Sequence, residues 1–220
     1  MKCSSLSERS RSGYDYDAIV VGSGYGGSVA ACRLSQAGLK VCLLEKGKKW
    51  EAEDFPTNTF QAMLATRVET PNLGCYGSKS ALFQIFKQED SLALVCSGLG
   101  GGSLINAGVM APTPMRARRD PRWPNEWEGS WSSCQARATR ILQPETIPHQ
   151  FPNAKVMRDI AGEIEERTLD PIQLSVKFNQ GESSAGLQQN ACMACGNCLS
   201  GCPYNAKGST DKNYLASAIK

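Results

Sequence analysis

Histidine is almost absent from this 220-residue chain: His149 is its single example. It stands between Pro148 and Pro152 with no acid beside it, and reads as a surface-loop residue rather than a catalytic base. An excess of one charge is missing too. Lys and Arg total 24 against 21 acidic residues, a net +3, which argues against a broad nucleic-acid footprint. The densest basic stretch, Arg116, Arg118, Arg119 and Arg122, is interleaved with Asp120 and proline and reads as a solvated connection. No apolar run approaches the roughly 20 residues that span a bilayer, so no membrane span is expected. There are no repeats or low-complexity tracts, and Met1 to Gly13 is Ser/Arg-rich without the apolar core of a secretory signal. A cytoplasmic location is the default that remains, although the brief leader is also compatible with an organelle address.

The length suits one large domain or two small ones with a buried core. Asp17 to Val21 is a run of small and β-branched residues that predicts a buried strand. It breaks into Gly22-Ser23-Gly24-Tyr25-Gly26-Gly27, and a helix is expected from Gly26 to Ala37 with Gly38 as its stop. Lys40 to Leu44 follows as a second strand, ending at Glu45. This is the strand–turn–helix–strand context in which a G-x-G-x-x-G turn holds a dinucleotide. The helix start offers free N–H groups to phosphates, and the Glu45 carboxylate can accept both hydroxyls of an adenosine ribose. An acid there favours FAD or NAD over NADP, without deciding between the first two.

Further along, a short helix is expected at Phe60 to Arg67, a loop at Pro71 to Gly77, and strands at Leu82–Phe86 and Leu92–Cys96. Gly98 to Gly108 is a second glycine-rich stretch, suited to a loop pressed against a flat or charged ligand, with a helical start at Ser103. Residues 111–152, rich in Pro and Trp, read as an irregular connection. Asn153 to Arg167 has the pattern of an amphipathic helix, with Val156, Met157, Ile160, Ala161 and Ile164 on one face.

Ten cysteines are many for an intracellular chain. Cys32 and Cys42 fall in the expected helix and strand, where a small buried hydrophobe is the plain reading. Cys192, Cys195, Cys198 and Cys202, followed by Pro203, have the C-x2-C-x2-C-x3-C-P spacing of bacterial ferredoxins. Three chemistries suit this run: an iron–sulfur (4Fe-4S) cluster, structural zinc, or loop thiols that hold no metal and can form a disulfide on oxidation.

The two glycine stretches and the cysteine tail together resemble the glucose–methanol–choline (GMC) family of FAD oxidoreductases, closest to its cholesterol-oxidase-like branch. Val21 to Ala30 is similar to the family's adenosine-diphosphate motif, Leu44-Glu45-Lys46-Gly47 to its ribose-binding strand end, and Gly100 to Gly108 to its second FAD motif. Gly201 to Lys207, running on to Asn213-Tyr214-Leu215, is similar to the segment that re-enters the FAD domain. The resemblance implies an α/β, Rossmann-like FAD/NAD(P)-binding fold, incomplete here, with part of a mixed α+β substrate domain and a Cys-rich segment. The implied organisation is a disordered leader at 1–14, FAD-binding residues at 15–115, a partial substrate domain at 116–180, and the Cys-rich segment with a return helix at 181–220.

The resemblance further implies FAD as cofactor, with Gly101, Gly102, Ser103, Asn106 and Gly108 at the flavin beside the first glycine motif and Glu45. It implies oxidation of an alcohol, a sterol or another bulky lipophilic one, with dioxygen or an electron carrier as acceptor. Family members are considerably longer and place their catalytic histidine near the C-terminus. No residue here is therefore expected to inherit that role, and the chain is expected to be a truncated product, a fragment or one half of a split gene, inactive alone. An electron-transfer flavoprotein built on the cysteine run, or a non-catalytic remnant, are the alternatives.

Overall fold

The computed structural model describes residues 13–72, 74–148, 151–164 and 171–220. The expected leader up to residue 12, His149, and the expected helix beyond residue 164 lie outside them. Strands β1 (Ala18–Val21) and β2 (Val41–Leu44) pair in parallel, with Ala18 opposite Val41 and Val21 opposite Leu44. Helix α1 (Tyr25–Gln36) crosses between them. It can settle on the turn because Gly27 has no side chain: a Cβ there would fall 1.9 Å from the Gly22 carbonyl oxygen.

Partners in a parallel pair share a face. Val41 and Leu43 line a groove with Ala31 and Ser35 of α1, so this is the covered side. Ile19, Val21 and Leu44 on the other side are largely exposed.

A second layer begins with α2 (Thr59–Leu64), capped by the Asn58 side chain, which accepts from the Gln61 amide at 2.9 Å. The helix expected to reach Arg67 ends there, because Thr66 to Thr70 pairs as strand β3. The expected loop at 71–77 contains strand β4 (Gly74–Tyr76). With β5 (Phe83–Lys87) and β6 (Leu92–Cys96) these form one sheet in the order β4-β3-β5-β6. Only the β3–β5 pair is parallel. Trp50, Phe55, Leu82, Phe83 and Leu104 make the core beneath it. Complete burial of a side chain like Leu82 contributes about 1.5–3 kcal/mol. Leu104 belongs to the second glycine stretch, so this core fixes the underside of that loop.

About half of the connection expected to be irregular over 111–152 is helical: α3 (Met115–Arg118) and the 16-residue α4 (Trp127–Leu142). Trp127, Trp131, Cys134, Ala138 and Ile141 recur every three or four residues, which is the helical period. The C-terminal end of α4 is buried with Cys32 and Tyr214 in a second small core. A short strand β7 (Glu145–Thr146) precedes α5 (Pro152–Gly162), whose expected apolar face is largely exposed at Val156, Met157, Ile160 and Ile164. Strand β8 (Gln173–Leu174) pairs with β7, and β9 (Gly181–Glu182) with β10 (Gln188–Gln189). A π-helical turn at Asp211–Leu215 leads into α6 (Ala216–Ala218) and packs on α1. Among the described residues no helix is long and apolar enough to cross a membrane.

Candidate functional site

The two glycine stretches, far apart in sequence, meet at the start of α1. Gly22 and Ser23 form the turn out of β1, Gly24 is the N-cap, and Tyr25, Gly26 and Gly27 begin the helix. No side chain caps this end and no acid stands in its first turn. The first amides and the positive end of the helix dipole are therefore left to whatever lies in front of them. Gly101 abuts from the second stretch, with φ of 54° and room for no Cβ, which would lie 2.7 Å from the Gly24 Cα. Gly24, Gly26 and Gly102 by contrast face open space, with nothing within 4 Å of a Cβ built on them. The result is a backbone-lined cradle, closed behind and open in front.

Ser23 ties the cradle together and is fully buried. Its hydroxyl donates to Glu45 Oε2 at 2.5 Å and accepts from the Gly100 amide at 2.9 Å. The Ser23 amide also donates to Glu45 Oε2, and the Gly47 amide to Oε1. Burial pushes the Glu45 carboxyl up, but the Ser23 hydroxyl and the amides of Gly47, Ser23 and Lys46 more than offset this, and it ends below its ordinary value. Glu45 is thus held as a half-buried carboxylate beside the first turn of α1.

Across the opening, Asn106 Nδ2 donates to the Tyr25 hydroxyl at 2.6 Å, and Asn106 Oδ1 accepts from the Gly108 amide at 3.1 Å. Burial raises the Tyr25 hydroxyl above its ordinary value, more than its bond to Asn106 lowers it. Ser103 points inward, its hydroxyl donating to the Gly100 carbonyl at 2.7 Å and lying 3.1 Å from Thr210 Oγ1. The structure therefore brings all twelve expected cofactor residues together, but the Ser23 and Ser103 side chains serve the loops themselves.

Several residues that support this arrangement were not singled out from sequence. Ser28 donates to the Ser23 carbonyl at 2.6 Å, and Trp50 Nε1 to the Ser97 carbonyl at 3.0 Å. The Thr210 hydroxyl donates to the Gly100 carbonyl at 3.1 Å, and its amide donates to the Ser103 hydroxyl at 3.0 Å. Lys207 is buried, and its ammonium donates to the carbonyls of Leu104, Asn106 and Cys198. Burial brings it down to about 8, against the pull of nearby thiols. Each of these residues lies near a motif, but only the fold shows which carbonyls it reaches.

Cys192, Cys195, Cys198 and Cys202 line one small cavity with Lys207. That cavity is about 20 Å³, room for about one water. Among the described residues, no group of three or more His, Cys, Asp or Glu side chains is placed to hold a metal ion. The Cys192 and Cys202 sulfurs accept from the amides of Ala194 and Ala206. The iron–sulfur and zinc expectations therefore find no support in this donor arrangement. The nine described cysteines are all free.

Comparison with known proteins identifies the family. The family model described as GMC oxidoreductase matches residues 16–220. A cholesterol oxidase of Acinetobacter baumannii is 32% identical over 94% of this chain and 39% of its own length. One of Mycobacterium tuberculosis is 30% identical over 93% of this chain and 37% of its own. A long-chain-alcohol oxidase of Arabidopsis thaliana is 31% identical over 93% of this chain and 25% of its own. The chain thus spans about two fifths of the length of the first two relatives. On the match across residues 16–220, the chain belongs to the GMC oxidoreductase family.

Proposed function

We propose that this chain is the FAD-binding portion of an oxidoreductase acting on the CH–OH group of an alcohol, a sterol or another bulky lipophilic one. The observation that carries the reading is the contact between the two glycine loops at an uncapped helix start, with the Glu45 carboxylate alongside. Family membership and the names of the relatives, cholesterol oxidases and a long-chain-alcohol oxidase, support the alcohol class.

In this reading the amides of Gly24 to Gly27 take the pyrophosphate, those of Gly22 and Ser23 being engaged with Leu44 and Glu45, and Gly24 and Gly26 have no Cβ to hold it off. Glu45 faces the adenosine ribose, whose hydroxyls would share its oxygens with, or displace, the donors from Ser23, Gly47 and Lys46. Gly101, Gly102, Ser103, Asn106 and Gly108 lie along the flavin, with Ser103 contributing backbone only. A bound flavin supplies the hydride acceptor, and the chain's own residues bind and orient it. No residue of this chain is assigned the base that takes the hydroxyl proton. The division proposed is FAD-binding residues at 15–115 and 181–220 around a partial substrate domain at 116–180.

Purification of the 220-residue chain with added FAD, followed by a visible spectrum, tests the reading. Stoichiometric bound flavin without alcohol-dependent bleaching is expected. Protein that emerges colourless at saturating FAD overturns it.

A further inference from the structure

We infer that Lys207 is the positioning residue that holds the second glycine loop in its ligand-ready shape, and that through it the cysteine turn and the cofactor site move as one unit. This rests on the FAD-binding reading above. An ammonium has three N–H donors and no acceptor. Those of Lys207 reach three backbone carbonyls: Leu104 and Asn106 in the second glycine loop, and Cys198 in the cysteine turn. With every donor engaged and the side chain buried, Lys207 is a staple between two loops rather than an acid or base.

The staple acts at a sensitive place. Asn106, whose carbonyl it holds, bonds Tyr25 across the opening and receives the Gly108 amide. Lys207 is itself fixed from behind, since Gln189 Nε2 donates to its carbonyl at 2.9 Å. Removing the charge takes a donor from the buried Leu104 carbonyl and from the part-buried carbonyls of Asn106 and Cys198, and the strip from Leu104 to Gly108 loses one of its anchors to the protein interior.

The experiment compares the wild-type chain with Lys207→Met, which keeps length and apolar stem, and with Lys177→Met. The Lys177 ammonium pairs with Glu145 at 3.1 Å and not with the carbonyls that Lys207 reaches, so it controls for loss of a partly buried lysine. FAD affinity is read by flavin-fluorescence titration and loop order by amide hydrogen exchange. Lys207→Met is expected to bind FAD about tenfold to a hundredfold more weakly. Faster exchange in that variant is expected over residues 102–108 and 196–201, with α1 unchanged. Lys177→Met is expected to match wild type in both.

Equal affinity for Lys207→Met and wild type, with unchanged exchange at 102–108, overturns the inference. So does a uniform loss of protection across the chain, which marks a merely structural lysine. Should Lys207→Met not fold, the wild-type chain decides. FAD is then expected to slow exchange at 102–108 and 196–201 together, and protection confined to 102–108 overturns the coupling. Absence of FAD binding by wild type counts against the proposed function alone, and exchange in the cofactor-free variant still decides the role of Lys207.

Discussion

The Ser23 hydroxyl donates to the Glu45 carboxylate at 2.5 Å while accepting from the Gly100 amide at 2.9 Å, so one buried side chain joins the first glycine turn, the end of β2 and the second glycine loop. Replacing Ser23 by Ala leaves the Gly100 amide without its acceptor and Glu45 with one donor fewer. A loss of about 1–3 kcal/mol in unfolding free energy is expected, read by urea titration. FAD affinity should fall with it. A variant as stable as wild type would show that water replaces the hydroxyl at no cost.

Alanine at the glycines should separate those that shape the protein from those that face a ligand. Gly101→Ala places a Cβ 2.7 Å from the Gly24 Cα at a φ of 54°, and a marked fall in melting temperature is expected. Gly26→Ala and Gly102→Ala enter open space, so their melting temperatures should stay at wild type while FAD retention drops. Undiminished flavin binding by both would remove the cradle's front from the cofactor site.

Acid should weaken the fold through Glu45. Its carboxyl ends below its ordinary value, despite burial, because of Ser23, Gly47 and Lys46. A depressed carboxyl contributes stability that is present in full above its unfolded value of about 4.3 and lost as pH falls through the folded value. The stability gap between wild type and Glu45→Gln should therefore be constant at neutral pH and close below about pH 4. Urea midpoints measured from pH 7 downward check this, and a gap that widens in acid would contradict it.

Anaerobically purified protein should contain iron and acid-labile sulfide well below stoichiometry. Cys192, Cys195, Cys198 and Cys202 line a cavity of about 20 Å³, room for about one water, and among the described residues no group of three or more His, Cys, Asp or Glu is placed to hold a metal ion. Metal analysis beside the visible spectrum is the check. Stoichiometric iron with a broad absorption near the flavin bands would mean that the turn rearranges around a cluster.

The strand–glycine–helix–strand unit was legible almost to the residue, because local signals agree there: a β-branched run, then Gly22, Gly24 and Gly27, then Gly38. Helix α4 was missed although Trp127, Trp131, Cys134, Ala138 and Ile141 keep its period, since the prolines just before it drew the whole stretch into a loop reading. For the site, the residue types could be read but not their directions. Ser103 lies in a motif that resembles a flavin contact, yet its hydroxyl turns to Gly100 and Thr210, a choice set by contacts over a hundred residues away. Lys207 has the same lesson, since its acceptors are backbone carbonyls and any residue type could present them. The cysteine spacing specified which thiols approach one another but not the room between them.

The uncovered face of the β1–β2 pair has a bearing on how the molecule behaves in concentrated solution. Ile19, Val21 and Leu44 form an adhesive apolar strip, and among the described residues β1 pairs on one side only. Val21 immediately precedes Gly22, so anything that sticks to the strip crowds the mouth of the first glycine turn. Self-association along this strip is the expected consequence, read as a mass that rises with protein concentration.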